Sequence, residues 1–129
     1  MNYSYDIESH LVENISLKSK KDNLSKNKKN KVNFKIESKL QLNTKDSTFV
    51  KLLNDIELKS EIYSLKITHS FLIKFTQEIS QDDMEISSDK IRDELLSITF
   101  PYSRAVIMTI MVNCGYGDLS IPLINLAKE

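Results

Sequence analysis

The sequence Phe100-Pro101-Tyr102-Ser103-Arg104 decides the interpretation of this chain, because it places a proline directly before the apolar run Ala105–Val112. Upstream of this proline, Ile91, Leu95 and Ile98 recur at helical spacing. Proline has no backbone N–H and clashes with the preceding turn, so Pro101 is expected to kink the helix or to begin a new one. The pattern therefore predicts a long helix that is interrupted near its middle.

The helix is predicted to span residues 89–114, after an acidic connection over residues 76–88. Ser88 or Asp89 is a suitable N-cap, and Gly115 suits the left-handed position that ends many helices. A helix that is apolar on all sides is expected to be buried on all sides. This expectation applies to six residues after the proline: Val106, Ile107, Met108, Ile110, Met111 and Val112.

Four segments before the helix alternate between apolar and polar residues, which is typical of strands with one buried face. Short polar connections at Asn43–Thr48 and Ser60–Glu61 indicate hairpins. The predicted fold class is α+β, with a four-stranded antiparallel meander followed by a long Pro-kinked helix. The predicted inward faces are Tyr3, Tyr5, Ile7, Leu11, Ile15 and Leu17; Val32, Phe34, Ile36, Leu40 and Leu42; Val50, Leu52, Ile56 and Leu58; and Tyr63, Leu65, Ile67, His69, Phe71, Ile73 and Phe75.

Length and charge predict one domain over residues 1–129, with residues 1–75 in the sheet and residues 115–129 as a C-terminal segment. The 18 basic and 18 acidic residues cancel, so no overall field attracts nucleic acid or anionic lipid. The charge is nevertheless segregated: Lys18–Lys31 holds seven lysines and one aspartate. Such a stretch is typical of a solvated loop, with contact to an acidic partner as the alternative. A single cysteine suits a reducing cytoplasm.

The motif Phe100–Arg104 resembles the SecB family of export chaperones, whose helix carries Phe-Pro-Tyr-Ala/Ser-Arg. The later segment Leu119–Asn125 is similar to the family's Leu-x-Leu/Ile-(Pro)-Pro-Ile/Val-Asn segment. Weaker similarities lie in Asn14–Leu17, which ends the first strand, and in Tyr63–His69 of the fourth strand. The order of four strands and a long helix also matches the family.

The resemblance implies an ATP-independent holdase in the cytoplasm that binds unfolded polypeptides, including preproteins, in apolar grooves. It implies a homodimer or homotetramer and no cofactor. Core packing or subunit contact is the alternative role for each groove candidate. The groove candidates are Tyr63, Leu65, Ile67, Phe71, Phe100, Tyr102 and Met108, and the family motif comprises Phe100, Pro101, Tyr102 and Arg104.

Two features depart from the family. The sequence ends soon after Asn125, where members continue into a second helix that flanks the groove and a tail that contacts the Sec translocase motor. Members also dock the motor through acidic positions, where this chain has Asn14, Lys18 and Lys66. Contact with the motor is therefore doubtful. Some SecB-like proteins instead serve as the dedicated chaperone of one antitoxin, and this is the alternative function for the chain.

Other classes of function have weaker support. His10 and His69 lack a Glu or Cys at metal-ligand spacing, and Cys114, expected to be a buried thiol, has no His nearby in sequence. We therefore expect no catalysis and no metal site. The lysines have no interleaved aromatic residues for stacking on bases, so nucleic acid is not an expected partner. No apolar run approaches the roughly 20 residues of a membrane span, so no membrane insertion is expected.

The remaining rival is an interaction module that binds one fixed partner through the Lys18–Lys31 loop. Replacing the loop with a short neutral linker separates the two classes. A holdase should keep suppressing the aggregation of an unfolded model protein, measured by light scattering, because its apolar surface remains. A loop-driven module should lose its partner, and loss of aggregation suppression in a folded variant would contradict the holdase interpretation.

Overall fold

A computed structural model describes residues 4–20, 32–43, 45–46, 48–78 and 81–116, with the side chains of 81–88 excepted. Five elements follow one another along the chain. They are β1 (Tyr5–Ser19), β2 (Asn33–Leu42), β3 (Phe49–Lys59), β4 (Tyr63–Phe75) and α1 (Gln81–Asn113). The predicted fold class, a four-stranded antiparallel sheet followed by one long helix, is confirmed. Most of the Lys18–Lys31 loop and the Leu119–Asn125 segment lie outside the described residues.

The order of the strands in the sheet is β1-β4-β3-β2, and every pair is antiparallel. The strands β2, β3 and β4 form the predicted meander, but β1 pairs with β4 and not with its sequence neighbour β2. The meander prediction is therefore wrong for β1. Tight hairpins need only a few residues, whereas more than ten residues separate β1 from β2, which is enough to reach the opposite edge of a four-stranded sheet.

Two irregularities in β1 change which residues face inward. The register against β4 shifts between Ile7 and Ser9 and again between Val12 and Asn14. Each shift is a β-bulge, in which one extra residue moves the following side chains to the other face. Leu11 was predicted to face inward, but it lies opposite Ser70 on the other face and is 63% exposed.

The inward faces of the other three strands agree with the prediction. Val50, Leu52, Ile56 and Leu58 of β3 are all buried, and so are the odd-numbered residues of β4 from Tyr63 to Phe75. On β2 the alternation is also present, but the inward residues are only half-buried because β2 is an edge strand. The turn between β3 and β4 is held by the Ser60 hydroxyl oxygen, which accepts hydrogen bonds from the backbone N–H groups of Ile62 and Tyr63.

The helix begins at Gln81, so the prediction of an irregular connection over residues 76–88 and a start at Asp89 is wrong. Acidic residues are favoured in the first turn of a helix because they interact well with its dipole, and this polar start has no apolar periodicity to reveal it. The helix then continues through Pro101 as one element, so no new helix begins there. A kink at Pro101 stays a prediction.

The helix ends in a Schellman motif at Gly115, as the sequence predicted. Gly115 has a φ of 92°, a conformation that favours glycine. The N–H of Tyr116 donates to the carbonyl of Met111 at 2.8 Å, and the N–H of Gly115 donates to that of Val112 at 3.1 Å. These two bonds satisfy carbonyls that the end of a helix would otherwise leave without donors.

The chain divides into two compact units, Met1–Ile79 with the sheet and Ser80–Glu129 with the helix. The single domain over residues 1–129 stays a prediction. In the helical unit, the buried side chains follow a stripe at four-residue spacing. Its members are Ile91, Leu95, Thr99, Ser103, Ile107 and Met111.

The displacement of Leu11 can be tested with a matched pair of substitutions. Leu52→Ala removes a fully buried side chain and should lower the free energy of unfolding by about 2–5 kcal/mol. Leu11→Ala should lower it by less than about 1 kcal/mol, because the side chain is largely exposed already. Urea unfolding measures both free energies. An equal loss of stability in the two variants would contradict the exposed position of Leu11.

Candidate functional site

The four groove candidates of the sheet share one face of β4. Tyr63, Leu65, Ile67 and Phe71 are each at most 3% exposed. The sequence correctly placed them together, but side chains this deeply buried cannot contact a client as they stand. Their placement is that of core residues, and a groove role would require this face of β4 to be uncovered.

The groove candidates of the helix differ in exposure. Phe100 is buried, Met108 is half-buried and Tyr102 is 45% exposed. In the motif, Pro101 is exposed and Arg104 is half-buried. The motif therefore contributes one side chain to the core, through Phe100, and one apolar ring to the surface, through Tyr102.

Tyr102 belongs to a second stripe on the helix that is not fully covered. Ile98, Tyr102, Val106 and Ile110 recur every four residues and are half-buried or exposed, and Val112 is 58% exposed. The prediction that the helix is buried on all sides is wrong for Val106, Met108, Ile110 and Val112. The buried stripe takes up only one side of the helix, and Tyr102, Val106 and Ile110 beside it stay partly accessible. We call Tyr102, Val106 and Ile110 the open stripe.

The sheet unit also exposes apolar side chains along the edge strand β1. Ile15 lies on the inward face but is 47% exposed, since no strand covers β1 on its outer side within the described sheet. Leu11 is exposed on the opposite face because of the bulge after Ile7. An edge strand that combines open backbone groups with exposed apolar side chains can pair with another extended segment.

The face of the sheet that carries Leu11 holds a shallow polar depression of about 240 Å³. Asn14, Lys35, Asp55, Glu57 and Lys66 are among the residues that line it. The Thr68 hydroxyl donates to the Asp55 carboxylate at 2.7 Å, and a hydrogen bond from Lys59 lowers the pKa of Glu57. Side chains of both charges line the depression, with Glu37 opposite Asp55 and with Glu57 between Lys35 and Lys66.

A polar row crosses the otherwise apolar inward face of the sheet, and sequence reasoning missed it. Ser38, Asn54 and His69 lie directly opposite one another on β2, β3 and β4. The Ser38 hydroxyl donates to the Asn54 side-chain oxygen at 2.7 Å, and both Asn54 and His69 are fully buried. Buried polar groups of this kind are retained when they are hydrogen-bonded.

His10 extends this row onto β1. Its Nδ1 atom lies 3.0 Å from Nε2 of His69, and one of the two nitrogens carries the shared proton. The sequence has no metal-ligand pattern around either histidine and does not predict that the two are paired. The alternation of β4 placed His69 on the inward face, but His10 joins it only because of the bulge after Ile7, which the sequence pattern does not reveal.

The buried histidine has a strongly shifted protonation equilibrium. Burial, and secondly the repulsion from His10, lower the pKa of His69 to about 4. Burial favours the neutral imidazole over the charged form. His69 is therefore neutral at physiological pH.

The described residues of the two units do not assemble a recognisable catalytic group. Among the described residues, no cluster of three or more His, Cys, Asp or Glu side chains could hold a metal ion. Cys114 is exposed, so the expectation of a buried thiol is wrong. It lies in the turn that ends the helix, where the chain is open to solvent.

The part of α1 from Asp89 to Asn113 is long and apolar enough to cross a membrane by length and composition. The core helix of a water-soluble protein meets the same criterion, and this helix has a buried stripe. The absence of membrane insertion stays a prediction.

Comparisons with known proteins identify the fold. No family model and no curated protein matches the sequence. Among solved structures, the chain is similar to the SecB-like chaperone Rv1957 of Mycobacterium tuberculosis, solved in complex with a ChAD peptide from the Rv1956 HigA1 antitoxin. The TM-score is 0.72 at 7% identity, over 94% of this chain and 88% of that chain. A protein of unknown function from Streptococcus agalactiae matches with a TM-score of 0.57 and 12% identity, over 97% of this chain and all of the other. The predicted SecB-like fold is confirmed.

The lowered pKa of His69 predicts acid sensitivity. In the unfolded chain a histidine titrates near 6.5, so between pH 6.5 and 4 the unfolded state binds more protons than the folded state. The stabilisation is thus complete above pH 6.5 and is lost as the pH falls toward 4, with a total of order 3 kcal/mol. Urea unfolding at pH 7 and pH 5 should show a loss of about 2 kcal/mol.

The control for this prediction is a pair of variants. His69→Gln should flatten the pH dependence between 5 and 7, whereas His10→Gln should keep most of it, because burial of His69 is the main cause. Equal slopes in the wild type and His69→Gln would contradict the assignment.

Proposed function

We propose that this protein is a SecB-like chaperone of the cytoplasm, which holds non-native polypeptide without nucleotide. The observation that carries the proposal is the likeness of the fold, over 94% of this chain, to a SecB-like chaperone. A fold alone does not fix a function, so the proposal also needs a surface that suits the task.

The open stripe is such a surface. An unfolded segment offers apolar side chains, and an apolar helix face can bury them without catalytic geometry or a cofactor. Tyr102 is the most exposed member of the open stripe, at 45%. Clients of many sequences would be tolerated because apolar contacts are not directional.

A second candidate is service to one antitoxin. The similar chaperone from Mycobacterium tuberculosis was solved with a peptide from an antitoxin, which favours a dedicated client over a wide range of preproteins. Export through the Sec motor has less support, because the face with Asn14 and Lys66 carries charges of both signs. A dedicated chaperone would bind its antitoxin far more tightly than an unrelated unfolded protein of similar length.

Self-association is part of the proposal. Exposed apolar side chains on both units favour assembly into a homodimer or homotetramer. Light-scattering mass, measured alone and with an unfolded polypeptide added, tests assembly and client binding together. A monomer that does not bind the unfolded polypeptide would mean that the similarity to the SecB-like chaperone is limited to the fold.

The open stripe predicts the effect of Tyr102→Ser. Loss of an apolar ring that contacts the client should weaken binding of an unfolded polypeptide by about 5- to 30-fold, corresponding to about 1–2 kcal/mol. Fluorescence anisotropy with a labelled unfolded segment measures the affinity. Leu42→Ser is the matched control, because Leu42 is also 45% exposed but lies at the end of β2.

The two variants separate a role of the helix from a general effect of surface apolarity. Tyr102→Ser should bind more weakly than Leu42→Ser while both keep the mass of the wild type. Equal affinities would exclude the open stripe as the client surface. A change of mass in Tyr102→Ser alone would assign this residue to the subunit contact instead.

A further inference from the structure

The histidine pair has no part in the proposed chaperone function, and its geometry points to a separate role. We propose that His10 and His69 together bind one transition-metal ion of the zinc, copper or nickel class, with water completing the coordination. Both residues belong to the sheet unit, His10 on β1 and His69 on β4. They are also the two histidines of the whole chain.

The distance between the two nitrogens is close to that of a metal site. His10 Nδ1 and His69 Nε2 are 3.0 Å apart. Two imidazoles on one tetrahedral ion, each at about 2.0–2.1 Å, would place their nitrogens about 3.3 Å apart. A separation of the rings by a few tenths of an ångström, together with a tilt of both rings toward an ion beside the line between the two nitrogens, would therefore replace the shared proton with an ion.

Metal binding requires a rearrangement of the ring protons, because a histidine ligand must be neutral. When the ion binds, each ring carries its remaining proton on its other nitrogen, Nε2 of His10 and Nδ1 of His69. The proton formerly shared must leave the facing nitrogens, either for the other nitrogen of its own ring or for solvent, so that both rings bind as neutral ligands.

The surroundings hold both rings in place. The Phe71 ring lies 5.7 Å from the His10 ring in a stacked arrangement and 4.2 Å from the His69 ring. Asn54, directly opposite His69, has its side-chain oxygen fixed by the Ser38 hydroxyl. Packing of this kind pre-organises ligands, and an ion can enter from the side of His10, which is exposed.

Two protein ligands make a weak, exchangeable site. Structural zinc sites use four protein ligands, and among the described residues no third His, Cys, Asp or Glu joins this pair. The affinities of different divalent metals for such an imidazole site should follow their general order, with Cu²⁺ binding more tightly than Ni²⁺ or Zn²⁺. The ion would fasten the edge strand β1 to β4 across 59 residues of sequence.

Calorimetric titration of the untagged protein with Zn²⁺ and Ni²⁺ tests the proposal. We expect one ion per chain, at least tenfold weaker binding in His10→Gln and in His69→Gln, and a thermal midpoint that rises with Zn²⁺ only when both histidines are present. Cys114→Ser is the control, because its exposed thiol is another soft ligand, and it should bind as the wild type does.

If His69→Gln fails to fold, its titration cannot test the site. Nuclear magnetic resonance of the wild-type protein and of His10→Gln then provides the test. Substoichiometric Ni²⁺ should broaden the ring signals of both histidines in the wild type, and His10→Gln assigns them by removing one. Broadening of His10 alone, or wild-type affinity in His10→Gln, would overturn the site. Neither measurement depends on chaperone activity, so its outcome is independent of the proposed function.

Discussion

The antiparallel pairing of β1 with β4 is the constraint on which the sheet depends. It sets the strand order β1-β4-β3-β2 and makes β4 a central strand, buried along its whole inward face. It also leaves β1 as an edge strand and brings His10 to His69 across 59 residues of sequence. Without this pairing, β4 would be an edge strand of the three-stranded meander. The backbone groups of this most apolar strand that now pair with β1 would then be left unpaired.

The fold was largely predictable because its dominant signal is local. Alternation identified the inward faces of β2, β3 and β4, and Gly115 identified the end of the helix. These features arise from the residues of a single element and its turns. Burial of Phe71 or Leu52 requires only that each strand keep one face away from water.

The missed features depend on non-local geometry. The partner of β1 is set by tertiary pairing, and a bulge that displaces Leu11 leaves no mark in the alternation. The start of the helix at Gln81 lacks apolar periodicity, and exposure of Val112 depends on which side of the helix is covered. Of the site candidates, the sequence placed the β4 residues on one face. It could not show that these residues are buried whereas Tyr102 is exposed.

The order of the strands also bears on how the sheet forms and opens. The strands β2, β3 and β4 make contacts between sequence neighbours, so they can pair early, whereas β1 must close a loop that spans most of the sheet sequence. As one of the two edge strands, β1 can also detach in the native state more readily than the central strands β3 and β4. Amide protons of β1 should therefore exchange through a partial opening that spares the other strands. Each such event would briefly present the backbone of β4 as an unpaired edge to any extended chain nearby.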